Sequence, residues 1–387
     1  MLGLVERWTP YRIAFAWVLV VSILFCGLRV AELHGVVGPD FDVYWFDNVL
    51  YNTVHGHPFV VAPNHYTIPT TYEKINHFSH HNQPILLLFI PIYAISPSVF
   101  TITILQVSGL GLAAIPLYRF AMSYVSARTA TVVVIAYLIN PIVFWNAKSF
   151  HPVAFLPLVG FSLLYFYRVD SPGWFLTCLV LALSLKETTP IFLAPLALYL
   201  AYDASHLAPP THPSDHLQKY VAPLFVGSVL WFFLSFDVVI PHFSSVGYTF
   251  TSRYAYLGNS LSEILRTLMF EPATWLPHVL SLRIFEYVFA LTATTGFIAI
   301  RSSAVLTAAP YVLLNVLSTT GQTELIRQYQ IPVVVALYLA LVKALAVYEG
   351  ESAQHATARL WLLVAAACSY IVVTTLYFHR HLAAFGF

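Results

Sequence analysis

The sequence predicts an all-α protein that crosses a membrane many times, and three observations carry that prediction. Of its 387 residues, 59% are hydrophobic and only 9% are charged, where a soluble domain carries about a quarter charged residues. Mean hydropathy is +0.74. The apolar residues gather into runs of about bilayer length, which points to helices rather than to a β-barrel. Aqueous globular, disordered and fibrous classes are excluded on these grounds. A net charge of +1 gives no broad basic face for nucleic acid. Cys26, Cys178 and Cys368 all lie inside apolar runs, so neither a disulfide framework nor zinc-ligand spacing is visible.

The first apolar run, 13–31, is span-length and lacks a convincing small-residue cleavage site, so it reads as an uncleaved first span. Further runs fall at 98–118, 129–147, 152–168, 173–186, 188–203, 221–240, 284–300, 303–319, 331–348 and 359–378. Together they predict about eleven transmembrane helices in a single domain over 1–387. Two polar stretches interrupt them, at 32–97 and 241–283, and read as large loops on one side. In the first, 41–55 places Phe46, Leu50 and Val54 on one helical stripe and Asn48, Asn52 and His55 on another. That pattern predicts a helix lying in the membrane plane. The run 84–95 is too short to span comfortably and contains Pro91, which predicts a second interfacial or re-entrant helix. Strict alternation puts 148–151, 186–189 and 320–330 on the same side as the two large loops. The basic residues of the loops divide evenly between the sides, so positive-inside bias does not orient the chain.

Polar residues are densest over 32–82. Here lie His34, His55, His57, His65, His77, His80 and His81 with Asp40, Asp42, Asp47 and Glu73. A carboxylate could serve as a general base or a metal ligand at the membrane surface. The plainer reading of Gly38-Pro39-Asp40-Phe41-Asp42 is a helix start, with Asp40 as N-cap and Asp42 as a first-turn charge favoured by the dipole. No HExxH motif, and no close i,i+4 histidine pair on a clear helix, supports zinc. Lys186-Glu187 sits between two short runs, either as a self-neutralising pair or as a recessed cation for an anionic substrate group oriented by Glu187. Lys148 and His151 repeat that theme. Arg253-Tyr254 and Arg327-Gln328-Tyr329 read either as aromatic-belt anchors or as phosphate clamps.

The stretch Phe41 to Gly56, with His77-Phe78-Ser79 and Pro84-Ile-Leu-Leu-Leu after it, resembles the DUF2079 family of predicted membrane proteins. Phe150-His151-Pro152, Lys186-Glu187, Arg253-Tyr254 with Leu257-Gly258, and Leu313-Leu-Asn315 before Arg327-Gln-Tyr329 follow in the family's order. The resemblance covers about residues 40–335. That family is in turn similar to GT-C glycosyltransferases, which move a sugar from a polyprenyl-phosphate carrier on the extracytoplasmic side of the cell membrane. Residues 13–118 match the GT-C layout of a first span followed by a large loop with two membrane-parallel helices. The resemblance implies Asp42 as general base, with Asp40 as the competing choice. Two positions depart from the family pattern: Val153 where an acidic residue is frequent, and Tyr44 where Gly is usual.

The function expected is an inverting glycosyltransferase with a lipid-linked sugar donor and an unidentified acceptor. Lys186, Arg253, Arg327 and Lys148 would meet the donor phosphate. Asp47, His77, His151, Glu187, Tyr254 and Tyr329 would position substrates. No cofactor is required if cations meet the phosphate, although Asp40-Phe41-Asp42 is a DxD that a divalent cation could use. The competing class is a transporter or lipid flippase, whose bundle would also hold polar residues. A non-catalytic assembly subunit is the third.

Overall fold

The computed structural model describes residues 2–62, 75–206, 213–245, 247–347 and 352–384. The architecture is all-α and membrane-like, with a two-stranded antiparallel ribbon pairing Val60 with Asn76 and Val61 with Ile75. Among the described residues, five helices are long and apolar enough to cross a membrane: Thr9–Leu33, Val99–Met122, Leu217–Phe243, Gln328–Val347 and Ala356–Leu376. A sixth crossing results if Pro272–Val279 and Leu282–Ala293, bent by 55° at their junction, count as one.

Each of the eleven apolar runs falls on helix, but the count of eleven full crossings does not carry over, for local reasons. In 129–147 the helix Ala127–Leu138 ends before Asn140-Pro141. Asn140 Oδ1 accepts the amide of Ile142 at 2.9 Å and starts a new turn there, where Pro141 cannot continue the preceding helix. In 284–300 the helix Leu282–Ala293 ends before Gly296 and Phe297, both at φ +59°, a left-handed conformation that closes helices. Residues 152–168, 172–184 and 190–204 form helices shorter than a full span. Strict alternation of loop sides, which rested on eleven full crossings, therefore does not follow.

The chain divides into two compact units. The first comprises Tyr11–Phe120 and Asn146–Thr249, and the second Met1–Pro10, Ala121–Trp145 and Phe250–Phe387. The part of α1 (Leu2–Leu33) from Tyr11 onward belongs to the first unit and exposes Phe15, Leu19, Val20 and Ile23, a face suited to lipid. Then α2 (Phe41–Val54) begins where predicted, with Asp40 accepting the amide of Val43 at 3.3 Å and Asp42 in the first turn.

Of the polar stripe of α2, His55 is exposed, whereas Asn48 and Asn52 are turned to protein. Asn48 is buried and its Oδ1 accepts the amide of Ala62, while Asn52 Nδ2 donates to Val60 O. The two amides pin the strand Val60–Val61 against the helix. Two further helices follow, α3 (Leu86–Ile95), containing Pro91, and α4 (Val99–Leu112), capped by Ser98. A Cβ at Gly109 would enter the Phe155 ring, and one at Gly111 would enter Trp17 and Val18, so both glycines allow α4 its close approaches. Beneath the 147–155 segment, Phe150 packs on Phe46 (5.2 Å between ring centres) and Phe89 on Phe155 (4.8 Å).

In the second unit, Gln328–Val347 is buried along most of its length. Tyr338 meets Tyr137 edge-on at 5.4 Å and accepts a hydrogen bond from Asn140. The helix Ser352–Ala384 instead exposes Leu360, Trp361, Val364, Ile371 and Val372, as a lipid-facing helix does.

Candidate functional site

The first unit gathers a charged cluster where α1, the start of α2 and the 147–151 segment meet. Asp40 Oδ1 accepts from the Ser149 hydroxyl at 2.9 Å, and Asp40 Oδ2 faces Lys148 Nζ at 3.8 Å. Asp42 Oδ2 lies 3.5 Å from His151 Nε2, which is 3.4 Å from Ser149 Oγ. The side chain of Asp42 is 48% exposed against 12% for Asp40. The two carboxylates therefore differ in kind. Asp40 spends its oxygens on a helix cap, a hydroxyl and a lysine; Asp42 presents an accessible oxygen beside an imidazole.

The segment bearing Lys148 and His151 is held from behind. Gln106 donates to Asn146 O at 2.9 Å and accepts the amide of His151 at 3.2 Å. Arg29 Nη2 donates to Lys148 O at 3.0 Å, and Arg29 Nη1 pairs with Glu32 at 2.8 Å, both side chains buried. The sequence reading missed Arg29, Glu32, Gln106 and Ser149. The signal available for the first two was a pair of opposite charges at the end of an otherwise apolar run, which membrane burial makes expensive unless paired.

A second polar group in the same unit surrounds Glu187. This fully buried carboxylate accepts from the Tyr248 hydroxyl and meets His81 Nδ1, both at 3.0 Å on Oε1. Among the described residues its Oε2 has no hydrogen-bond partner. Burial would raise the Glu187 pKa, but His81 and Lys186 outweigh it and hold the carboxyl below its usual range. Lys186 is itself buried. His77 is fully buried: Trp45 Nε1 donates to its Nδ1 at 3.1 Å, so its Nε2–H donates to Gln83 Oε1 at 2.9 Å. Burial, reinforced by His81, lowers the His77 pKa to about 3 and keeps the ring neutral. Asp47 accepts from Tyr93 at 2.6 Å and ties α2 to α3. Burial raises its pKa, with the Tyr93 bond opposing.

The remaining predicted residues belong to the second unit. Arg253 lies over the Phe250 ring at 4.3 Å and the Tyr329 ring at 5.3 Å. Arg327 pairs with Glu324 at 2.8 Å on the surface. The Tyr254 hydroxyl reaches Gln322 Oε1 at 3.0 Å and Leu314 O at 3.1 Å. Around them runs a buried network in which Tyr287 donates to Gln330 Oε1 at 2.6 Å and Asn315 donates to the Tyr287 hydroxyl at 3.1 Å.

Asp40 suits a divalent cation poorly, because its oxygens already meet two donors and an ammonium. Among the described residues no group of three or more His, Cys, Asp or Glu is placed to hold a metal ion. His65, Glu73 and Lys74 of the histidine-rich stretch lie outside the described residues.

The family model described as "Predicted membrane protein (DUF2079)" matches residues 38–384. No curated protein matches the chain.

Proposed function

The chain belongs to this family of predicted membrane proteins, and from that premise we propose that it is a GT-C-type inverting glycosyltransferase acting at the extracytoplasmic face of the cell membrane. The observation that carries the reading is the division of labour between two neighbouring carboxylates. Asp40 is consumed by structure, while Asp42 is exposed and partnered by His151.

Asp42 takes the proton of the acceptor hydroxyl as that oxygen bonds to the anomeric carbon. The bond from that carbon to the phosphate oxygen breaks, and the electron pair leaves with the lipid-linked phosphate. Charge grows on that phosphate, so fixed cations assist its departure. Lys148 and the buried Lys186 of the first unit take that part. His151 orients the base, and Glu187, with one buried oxygen unsatisfied among the described residues, orients a sugar or acceptor hydroxyl. Asp47 and His77 act through the framework that positions these groups.

The test is sugar transfer from polyprenyl-phosphate donors to a panel of acceptors in reconstituted membranes. Asp42→Asn preserves shape and should cut turnover by about 10²–10⁴-fold, the usual contribution of a positioned base. Unchanged turnover removes Asp42 from the mechanism. Substrate flux across vesicles without covalent transfer moves the assignment to the transporter class.

A further inference from the structure

A cavity of about 280 Å³ in the second unit has a lining to which the sequence reading assigned no role. Arg283 and Glu286 reach it from the helix Leu282–Ala293, and Thr323 and Glu324 from the turn that follows Gly321. Val373 and Leu376 supply apolar lining from the last turns of the candidate span Ala356–Leu376. Charged groups at the end of a lipid-exposed span place the cavity's polar part at membrane-interface depth.

The charges there do not cancel one another. Glu324 is paired with Arg327 at 2.8 Å. Arg283 donates Nη2 and Nε to Thr323 Oγ1 at 2.7 and 3.1 Å and Nη2 to Thr320 O at 3.4 Å. Its Nη1 is left over, and it makes no ion pair among the described residues. Glu286, three positions along the same helix, has neither a hydrogen bond nor an ion pair among them. The cavity thus offers one unneutralised cation and one unneutralised anion on neighbouring helical positions, beside an apolar wall.

We propose that this cavity binds the head of a zwitterionic aminophospholipid, of the phosphatidylethanolamine type. The phosphate accepts a charge-assisted hydrogen bond from the remaining Nη1 of Arg283. The primary ammonium donates to Glu286, and the upper acyl chain lies against Val373 and Leu376. A trimethylammonium head has no N–H to give Glu286, and an anionic head leaves Glu286 repelled. The site is independent of Asp42 and serves as a lipid contact, not as a donor site.

The test is native mass spectrometry of the full chain in detergent, titrated with dioleoyl lipids that differ only in the head. Retention should fall stepwise from phosphatidylethanolamine through its N-methyl and N,N-dimethyl forms to phosphatidylcholine, by about tenfold in all, as loss of a charge-assisted hydrogen bond requires. Phosphatidylglycerol should bind more weakly than phosphatidylethanolamine. Glu286→Gln should abolish the dependence on methylation while keeping phospholipid binding. Equal retention across the methyl series, tighter phosphatidylglycerol, or an undiminished preference in the Glu286 variant each overturns the proposal. The wild-type series decides the matter even where the variant does not fold.

Discussion

Ser149 donates its hydroxyl to Asp40 Oδ1 across 2.9 Å, so the residue that caps α2 also grips the segment carrying Lys148 and His151. The same oxygen accepts the amide of Val43. Asp40→Ala should lower stability by about 1–2 kcal/mol through loss of the cap, and Ser149→Ala by about 1 kcal/mol. Because both changes remove the same contact, the double variant should cost less than the sum, with a coupling of at least about 0.5 kcal/mol. Thermal unfolding of the detergent-solubilised protein measures it. Strict additivity would break the link. Sugar transfer should survive in Asp40→Ala and fail in Asp42→Asn, since only the latter loses the base.

How much of this site was legible beforehand depends on how local each interaction is. Gly38-Pro39-Asp40 announces a helix start, because a cap bonds to an amide only three residues on, and α2 begins there. Ser149 is 109 residues from Asp40, and no pattern in either segment reports the other. Asn48 and Asn52 lie on a polar stripe as read, yet these two meet a strand rather than water. Periodicity tells which face differs, not what covers it. Apolar runs marked most regions of membrane-type helix, but Pro272–Val279 of the bent pair falls in the stretch read as a large loop, and Asn140-Pro141 and Gly296-Phe297 break helices inside runs that look continuous to a hydropathy average.

His77 predicts an acid sensitivity whose sign can be worked out. Burial holds its folded pKa at about 3, against an ordinary value of 6.5. The unfolded chain therefore binds the proton first, and stability rises with pH between those values. The contribution is complete above about pH 6.5 and is lost progressively as pH falls toward 3. Glu187, also lowered, adds loss of the same sign below its ordinary value of 4.5. The melting temperature should fall from pH 7 to pH 5, and His77→Gln should flatten that slope. His80, likewise lowered by burial, leaves some slope in the variant. An identical slope in both proteins would assign the sensitivity elsewhere.

Arg29 and Glu32 form a pair with almost no side-chain exposure, 0% and 1%. Removing one partner strands a buried charge, which costs about 3–5 kcal/mol, whereas removing both can be nearly neutral. Glu32→Gln should accordingly destabilise the protein more than the double change Arg29→Met with Glu32→Gln. The double variant still loses the Arg29 bond to Lys148 O, so its transfer rate should remain below wild type while its melting temperature recovers. Recovery of neither quantity would show that Arg29 acts mainly through packing.

Arg253 separates a surface anchor from an anion-binding group. Its guanidinium lies over Phe250 and Tyr329, and it makes no ion pair with a carboxylate among the described residues. Stacking of this kind is worth about 0.5–1 kcal/mol at an exposed site, and it leaves the planar edge available for a phosphate. Lysine keeps the charge but loses both the fork and the aromatic fit. Arg253→Lys should therefore raise the KM for a phosphate-bearing lipid donor with a smaller change in kcat, and Arg253→Ala should raise it further. A residue that only anchors the loop would give the opposite pattern: the melting temperature would fall in Arg253→Ala, while donor KM stayed at the wild-type value in both variants.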